Sequence, residues 1–368
     1  MRFVILTLLV AAASAANLVP LYRARDPVKN RYILKVKDDV DLDNVAAKLP
    51  SMGIGIIKRF SFAVKGFAVE AQEKTINQLR TMDEFEYIEE DGIYKADVEW
   101  GCDRTDQRNL PLDGVAAFND NGAGTHVYII DTGLRHTHDE FNGRASFFFD
   151  FEPANQGDDC NGHGTHCGGT SVGNSVGIAT AASVYSVRVL NCNGAGLTSN
   201  IVDGCDAIVA GGQKPGTCNM SIGGGASILL DNAVASLTSD GYVVSVSAGN
   251  DDTDACNQSP AREETSITTG STTSDDERSG FSNYGTCVDI FAPGSLIRSS
   301  YHTADNAYTI MSGTSMASPH VVGVAAAMLG GGVCSDHASC KNNILAVGTA
   351  DVVGSPGIGS PNLLLYCE

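Results

Sequence analysis

"THVYIIDTG" (residues 125–133) reads as a short apolar strand closed by an aspartate and a turn-forming glycine. Three more stretches share its make-up: "SVYSVRVL" (183–190), "CNMSIGG" (218–224) and "YVVSVSAGN" (242–250). Their residues are continuously apolar or small rather than alternating, as in strands covered on both faces. Between them, "LTSNIVDGCDAIVAGG" (197–212) and "SILLDNAVASLTSDG" (227–241) repeat apolar residues at helical spacing. Strand–helix alternation of this kind predicts an α/β fold, a mainly parallel sheet with helices on both faces. Such sheets expose functional side chains at the carboxyl ends of their strands.

Three residues stand at places of that type. Asp131 ends the first strand, His163 lies in the glycine-rich "CNGHGTHCGGT" (160–170), and Ser315 opens the helix of "SGTSMASPHVVG" (312–323). Singly, each has an ordinary explanation: a turn former, a backbone-bonded histidine, a helix cap. Together they supply an acid, a base and a nucleophile. A serine hydroxyl needs an imidazole to take its proton, and the imidazole needs a carboxylate to fix its tautomer. The order Asp–His–Ser is one of three chain orders known for this geometry, and no G-x-S-x-G surrounds Ser315, which argues against an α/β-hydrolase. Asn250 closes the strand "SVSAGN" and offers an amide to an oxyanion, a contact worth about 3 kcal/mol in a transition state. Two rival readings come from other classes. Cys160, His163, His166 and Cys167 have the spacing of a small zinc module, although no partner pair follows. An inactive homologue kept as a binding protein is the other, and the four filled positions speak against it.

The 368 residues, 43% of them hydrophobic, suffice for one large core and a smaller unit. "MRFVILTLLVAAASAAN" has the charge, apolar run and small residues of a secretory signal, predicted over 1–16, and no later stretch is long and apolar enough to span a membrane. An exported chain favours paired cysteines, and 11 is odd, so at least one thiol is left over. Residues 17–96 interleave strand-like "RYILKVKDD" (31–39), "FAVKGFAVEA" (62–71) and "FEYIEED" (85–91) with helix-like "DLDNVAAKLPSM" (41–52) and "EKTINQLRTM" (73–82), a small α+β unit. Residues 1–96 hold 14 of the 24 basic and 13 of the 43 acidic residues, leaving 10 basic and 30 acidic to the remainder. That acidic remainder excludes nucleic-acid or anionic-membrane partners, which require basic patches.

"IIDTG", "NGHGTHCGGT", "SAGN" and "SGTSMASPH" together resemble the subtilisin-like serine proteases, specifically the secreted proteinase K branch. Residues 30–95 resemble that family's inhibitory propeptide. The resemblance implies a seven-stranded, mainly parallel sheet over 97–368, preceded by a ferredoxin-like α+β propeptide domain over 17–96. It implies a secreted, monomeric endopeptidase acting on proteins and peptides, made as a zymogen that cuts itself near Ala96 and is inhibited until then by its own propeptide. Asp131 orients the base, His163 is base then acid, Ser315 attacks, and Asn250 with the Ser315 N–H holds the oxyanion; His166 is structural. Gly194, Ala195, Gly196 and Leu197 on one side, and Ser221, Ile222 and Gly223 on the other, bind an extended substrate. Ser247, Ala248 and Gly249 wall a pocket for an aromatic or aliphatic side chain before the cut. Asp251 and Asp252 at its rim suggest added tolerance for basic residues.

Catalysis in this family needs no cofactor, but structural calcium is implied. Asp103, Asp106, Gln107 and Asp113 resemble one calcium loop, with Val115 where relatives offer a further oxygen. Asp289 resembles a second calcium carboxylate, completed by carbonyls near Glu264 and Ser266. Cys160–Cys192 and Cys256–Cys287 match disulfides of relatives, Cys167 resembles a buried free thiol, and Cys334–Cys340 is suggested by proximity.

Overall fold

The computed structural model describes residues 18–24, 27–92 and 98–367; the expected signal peptide and the expected cleavage point lie outside these residues. The chain divides into two compact units, Met1–Ala96 and Asp97–Glu368.

In the first unit, strands β1 (Leu21–Tyr22), β2 (Pro27–Val36), β3 (Gly55–Phe60), β4 (Gly66–Glu70) and β5 (Phe85–Gly92) form one sheet in the order β1-β5-β2-β4-β3. All neighbours are antiparallel except β1 with β5. Helices α1 (Leu42–Lys48) and α2 (Glu73–Leu79) connect β2 to β3 and β4 to β5, which gives the ferredoxin-like order. Tyr32, Leu34 and Val36 alternate into the core, where they meet Val45, Phe67, Val69, Ile76 and Leu79. Period-two burial on one side of the sheet is what an antiparallel sheet with one covered face requires. The expected strand over 62–71 is shorter than the sequence suggested. Residues 61–65 turn the hairpin and leave Phe62 fully exposed.

The second unit contains α3 (Trp100–Thr105), β6 (His126–Asp131), β7 (Ala145–Asp150), α4 (His163–Val172), β8 (Ser183–Arg188), α5 (Thr198–Gly211), β9 (Gly216–Met220), β10 (Gly224–Gly225), α6 (Ile228–Ser239), β11 (Val243–Ser247), β12 (Gln258–Ser259), β13 (Ile267–Thr272), β14 (Ile290–Pro293), β15 (Ile297–Ser300), β16 (Tyr308–Met311), α7 (Thr314–Gly330), α8 (His337–Val347), β17 (Thr349–Ala350) and β18 (Leu363–Leu364). Seven parallel strands run β14-β13-β11-β9-β6-β8-β7. Beyond the expected seven, β18 adds parallel to β14 and β17 adds antiparallel to β18.

The pleat of β6 shows how both faces are filled. Tyr128 and Ile130 pack with Ile201, Cys205 and Ile208 of α5 and Leu230, Val234 and Leu237 of α6. Val127 and Ile129 pack on the other face with Cys167 and Val172 of α4 and Met316, Val322 and Ala326 of α7. Each such fully buried aliphatic side chain contributes about 1.5–3 kcal/mol. With α4 and α7 on one face, their N-termini converge on the carboxyl end of β6.

The loop after α3 is fastened by a charge inside the protein. Arg104, with no exposure, donates from Nε and Nη2 to the two oxygens of Asp276 (2.6 and 3.0 Å) and from Nη1 to Gln107 O (2.5 Å). Removing one partner of such a pair strands the other, so Arg104→Ala is expected to cost about 3–5 kcal/mol in urea unfolding. The Arg104→Leu/Asp276→Leu double variant should lose markedly less.

Candidate active site

Asp131 arrives at the carboxyl end of β6 with its side chain fully buried. Thr132 N donates to its Oδ1 (2.7 Å), and His163 Nδ1 lies 2.8 and 2.9 Å from its two oxygens. The first turn of α4 can come this close because two glycines clear the way. A Cβ on Gly164 would lie 2.2 Å from Gly133 O, and Gly133, at φ +114°, has Gly157 O where its own Cβ would be. Asp159, which the sequence reading passed over, fixes the same turn. Its carboxylate accepts from Thr132 Oγ1, Asn161 N, Gly162 N, Thr165 N and Thr165 Oγ1 (2.6–2.9 Å). Burial lowers the His163 pKa, but the charge of Asp131, its hydrogen bond and the charge of Asp159 outweigh this, and the net shift is upward from 6.5. His166, one turn on, donates Nε2–H to Ile297 O, and burial drives its pKa down to about 3.

Ser315 is the second residue of α7. Pro319, four residues later, lacks the N–H that would bond the Ser315 carbonyl. Ser221 Oγ (2.8 Å) and Cys167 Sγ (3.3 Å) donate to that carbonyl instead, joining the serine to α4 and to the segment after β9. In the resting state Ser315 Oγ donates to Ser221 O at 3.4 Å rather than to His163. Such contacts in unliganded sites are commonly loose and tighten with substrate. Asn250 Oδ1 accepts from Thr314 N (2.8 Å) and Thr314 Oγ1 (3.0 Å), which leaves its NH2 group for another acceptor. The N–H of Ser315, in the first helical turn, is likewise available.

The geometry agrees with the comparisons. The Subtilase family pattern matches residues 122–332, and the Peptidase inhibitor I9 pattern matches residues 31–97. The chain belongs to the subtilase family. An extracellular serine proteinase of Thermus sp. (strain Rt41A) is 44% identical over 320 residues, spanning 85% of this chain and 78% of the relative. Proteinase R of Parengyodontium album is 36% identical over 360 residues, spanning 94% and 91% respectively. The crystal structure of a cold adapted subtilisin-like serine proteinase aligns with TM-score 0.72 and 44% identity over 74% of this chain and 99% of its own. This subtilase is a serine endopeptidase with an inhibitor-type unit ahead of its peptidase unit.

Beside His163 lies a cleft of about 620 Å³. One side is Gly194, Ala195 and Gly196, the other Ser221, Ile222 and Gly223, and neither segment belongs to a sheet. Asn191 shapes the first segment by accepting from Asn193 N and Ala195 N (2.9 and 3.2 Å); Leu197, at its end, is 67% exposed. Ser247, Ala248 and Gly249 leave β11 behind the second segment, where Ser247 Oγ donates to Ile222 O. Gln258 was not singled out from sequence. Its Oε1 lies 2.3 Å from where a Gly249 Cβ would be and 3.7 Å from that of Gly223, so the amide sits between the two glycine walls. The acidic rim is already engaged: Asp252 pairs with Arg278 (2.8 Å), and Asp251 accepts from Gln258 Nε2 (2.5 Å). Of the two rim carboxylates, Asp252 is thus balanced by Arg278, whereas Asp251 meets only a neutral amide and keeps its charge.

Disulfides join Cys160–Cys192, Cys256–Cys287 and Cys334–Cys340, whereas Cys102, Cys167, Cys205 and Cys218 are buried thiols. With Cys160 bridged and His166 on a carbonyl, the zinc-module reading fails. In the acidic loop, Gly114 N binds Asp103 Oδ2, Ala117 N binds Asp106 Oδ2, and Gln107 Oε1 accepts from Asp113 N. Asp103 Oδ1 is buried without a partner, while burial and the charges of Asp103 and Asp113 push Asp106 up to about 6. An orphan oxygen among crowded carboxylates suits a hard cation. The second expected calcium site needs correction. Glu264 O, Ser266 O and the Asp289 carboxylate all accept from Lys341 Nζ, which stands where the ion was expected.

Asp159→Asn keeps the shape but removes acceptors and charge. It is expected to lower kcat about a hundredfold by misplacing His163. It should also move the acid limb of kcat/KM to lower pH, because one of the charges raising the His163 pKa is gone. A pH series of kcat/KM on a peptide anilide reads both effects.

Proposed function

We propose that this subtilase is a secreted zymogen whose residues 97–368, once freed by self-cleavage near Ala96, hydrolyse peptide bonds broadly, preferring aromatic or aliphatic side chains before the cut. The reading rests on one observation above others: a fully buried aspartate and a helix-borne histidine are bonded at the carboxyl end of β6, beside a cleft lined by Ser221, whose carbonyl accepts from Ser315 Oγ.

In this reading a substrate lies extended between Gly194–Leu197 and Ser221–Gly223, using main-chain hydrogen bonds that demand little of its side chains. Ser315 Oγ attacks the scissile carbonyl while His163 Nε2 takes its proton; Asp131, on Nδ1, fixes the tautomer and balances the imidazolium. The oxyanion is held by the Asn250 amide and the Ser315 N–H, and His163 then hands its proton to the leaving amine. The side chain before the cut enters between Gly223 and Gly249, past Ala248, with the polar amide of Gln258 at its end. In this reading the I9 unit inhibits the peptidase unit until it is released.

Calcium has no part in the chemistry. It is proposed to bind Asp103, Asp106 and Asp113, holding the loop that follows α3; Gln107, also expected as a ligand, instead engages its amide with Asn109 O, Pro111 O and Asp113 N. At 100 times its dissociation constant, an ion bound only to the folded state adds about 2.7 kcal/mol. Chelation should therefore lower the melting temperature at pH 7.5. The effect should fade as pH falls through about 6, where protonation of Asp106 removes the ion's ligand charge.

A fluorophosphonate is expected to modify Ser315 alone, on a chain shortened to start near residue 97, and Ser315→Ala should remain full length and unlabelled. Asp131→Asn should cost about 10⁴-fold in kcat. For the parent, kcat/KM should fall with acid along a limb centred above 6.5, since His163 acts only when neutral and its pKa is raised. A Ser315→Ala chain that still processes itself would refute the assignment.

A further inference from the structure

We propose that Lys341 is a built-in cation that takes the place of a metal ion at the amino ends of β13 and β14, so that this corner of the peptidase unit binds no calcium. Lys341 Nζ donates to Glu264 O (2.9 Å), to Ser266 O (2.5 Å) and to the Asp289 carboxylate (3.1 Å to Oδ1, 3.2 Å to Oδ2). An ammonium has three N–H donors and no acceptor, and three acceptor groups use all of them. A calcium ion seeks six to eight oxygens, each at about 2.3–2.6 Å. An ion drawing on these same oxygens would need the volume that Nζ fills, against a like charge.

The neighbours support a fixed seat for the ammonium rather than a chance surface pair. Asp289 Oδ2 also accepts from Thr268 N (2.9 Å), which anchors the carboxylate to β13. Lys341 and His337 are four residues apart on α8 and so share one face. His337 Nε2 donates to Thr265 O, between the two carbonyls that Lys341 takes, so one helix face grips three successive carbonyls. The Cys334–Cys340 disulfide ties the start of that helix to the preceding loop. Only 17% of the lysine side chain and 25% of the aspartate side chain are exposed.

The test counts calcium by equilibrium dialysis and elemental analysis on the full chain, carried as Ser315→Ala to prevent self-digestion. Asp289→Asn should leave the number of bound ions unchanged. Lys341→Ala should bind one ion more than its parent and melt at a higher temperature with calcium than with chelator by a wider margin. Adding Asp289→Asn to Lys341→Ala should abolish both gains. Loss of an ion on Asp289→Asn alone, or no gain on Lys341→Ala, overturns the proposal. Should Lys341→Ala not fold, acetic anhydride labelling of the full-length Ser315→Ala chain, with Lys341 in place, followed by peptide mass spectrometry decides. Lys341 should acylate far more slowly than the exposed Lys37 and Lys74 while the chain is native, and as fast as they do in urea. Equal rates in the native chain overturn it too. None of these readouts depends on proteolysis, so they stand apart from the proposed activity.

Discussion

A carboxylate with no exposure to water has to be met by donors, and at Asp131 that demand shapes the surrounding chain. An unpaired buried charge costs several kcal/mol, so the end of β6 must bring partners within hydrogen-bonding distance. Thr132 supplies one from the backbone, and His163 supplies the other from a different helix. For α4 to approach that closely, residues 133 and 164 must be glycine, and its first turn must be tied down, which Asp159 does. The same bond that satisfies Asp131 leaves the other ring nitrogen of His163 free to act as a base.

A second constraint comes from a missing donor. Proline inside a helix removes one backbone bond, and at Pro319 the freed carbonyl belongs to Ser315. Ser221 and Cys167 take it up. Ser315, the proposed nucleophile, is thus braced through its own backbone by the segment after β9 and by α4, which carries His163. Thr314 does the equivalent for Asn250, capturing the amide oxygen so that the NH2 group faces outward.

The strands β6, β8, β9 and β11 were legible because both of their faces are covered and most of their residues are apolar or small, although β9 ends at Met220 instead of running through 218–224. β13 was not. Its "ITTGST" is wholly buried yet mostly hydroxylic, and three of its four hydroxyls find partners, Thr268 on Ala261 O, Thr269 on Ser245 and Ser271 on Ser279, while Thr272 Oγ1 is left without one. β7 lies at the sheet edge with Phe147 half exposed, so "ASFFFD" lacks a clean pattern. At the site, Asp131, His163, Ser315 and Asn250 were expected from their residue types and their places beside strand ends and helix starts, and the structure sets His163 on Asp131 and Asn250 on Thr314 next to Ser315. Asp159, Gln258 and Lys341 could not. Their roles depend on what the fold carries to them, and Lys341 meets Asp289 across 52 residues of chain.

The buried imidazoles carry a thermodynamic consequence of their own. His166 stays neutral in the folded chain down to about pH 3, whereas the unfolded chain binds a proton on that ring near 6.5. Unfolding in acid therefore takes up protons, and mass action on hydrogen ion pulls the equilibrium toward the open chain across that interval. Burial depresses His136 and His337 in the same direction. Asp106 runs the other way, since the folded form protonates near 6 and the open chain only near 3.8. The histidines that fill the interior thereby set an acid boundary on the fold, separate from the loss of an active base at His163.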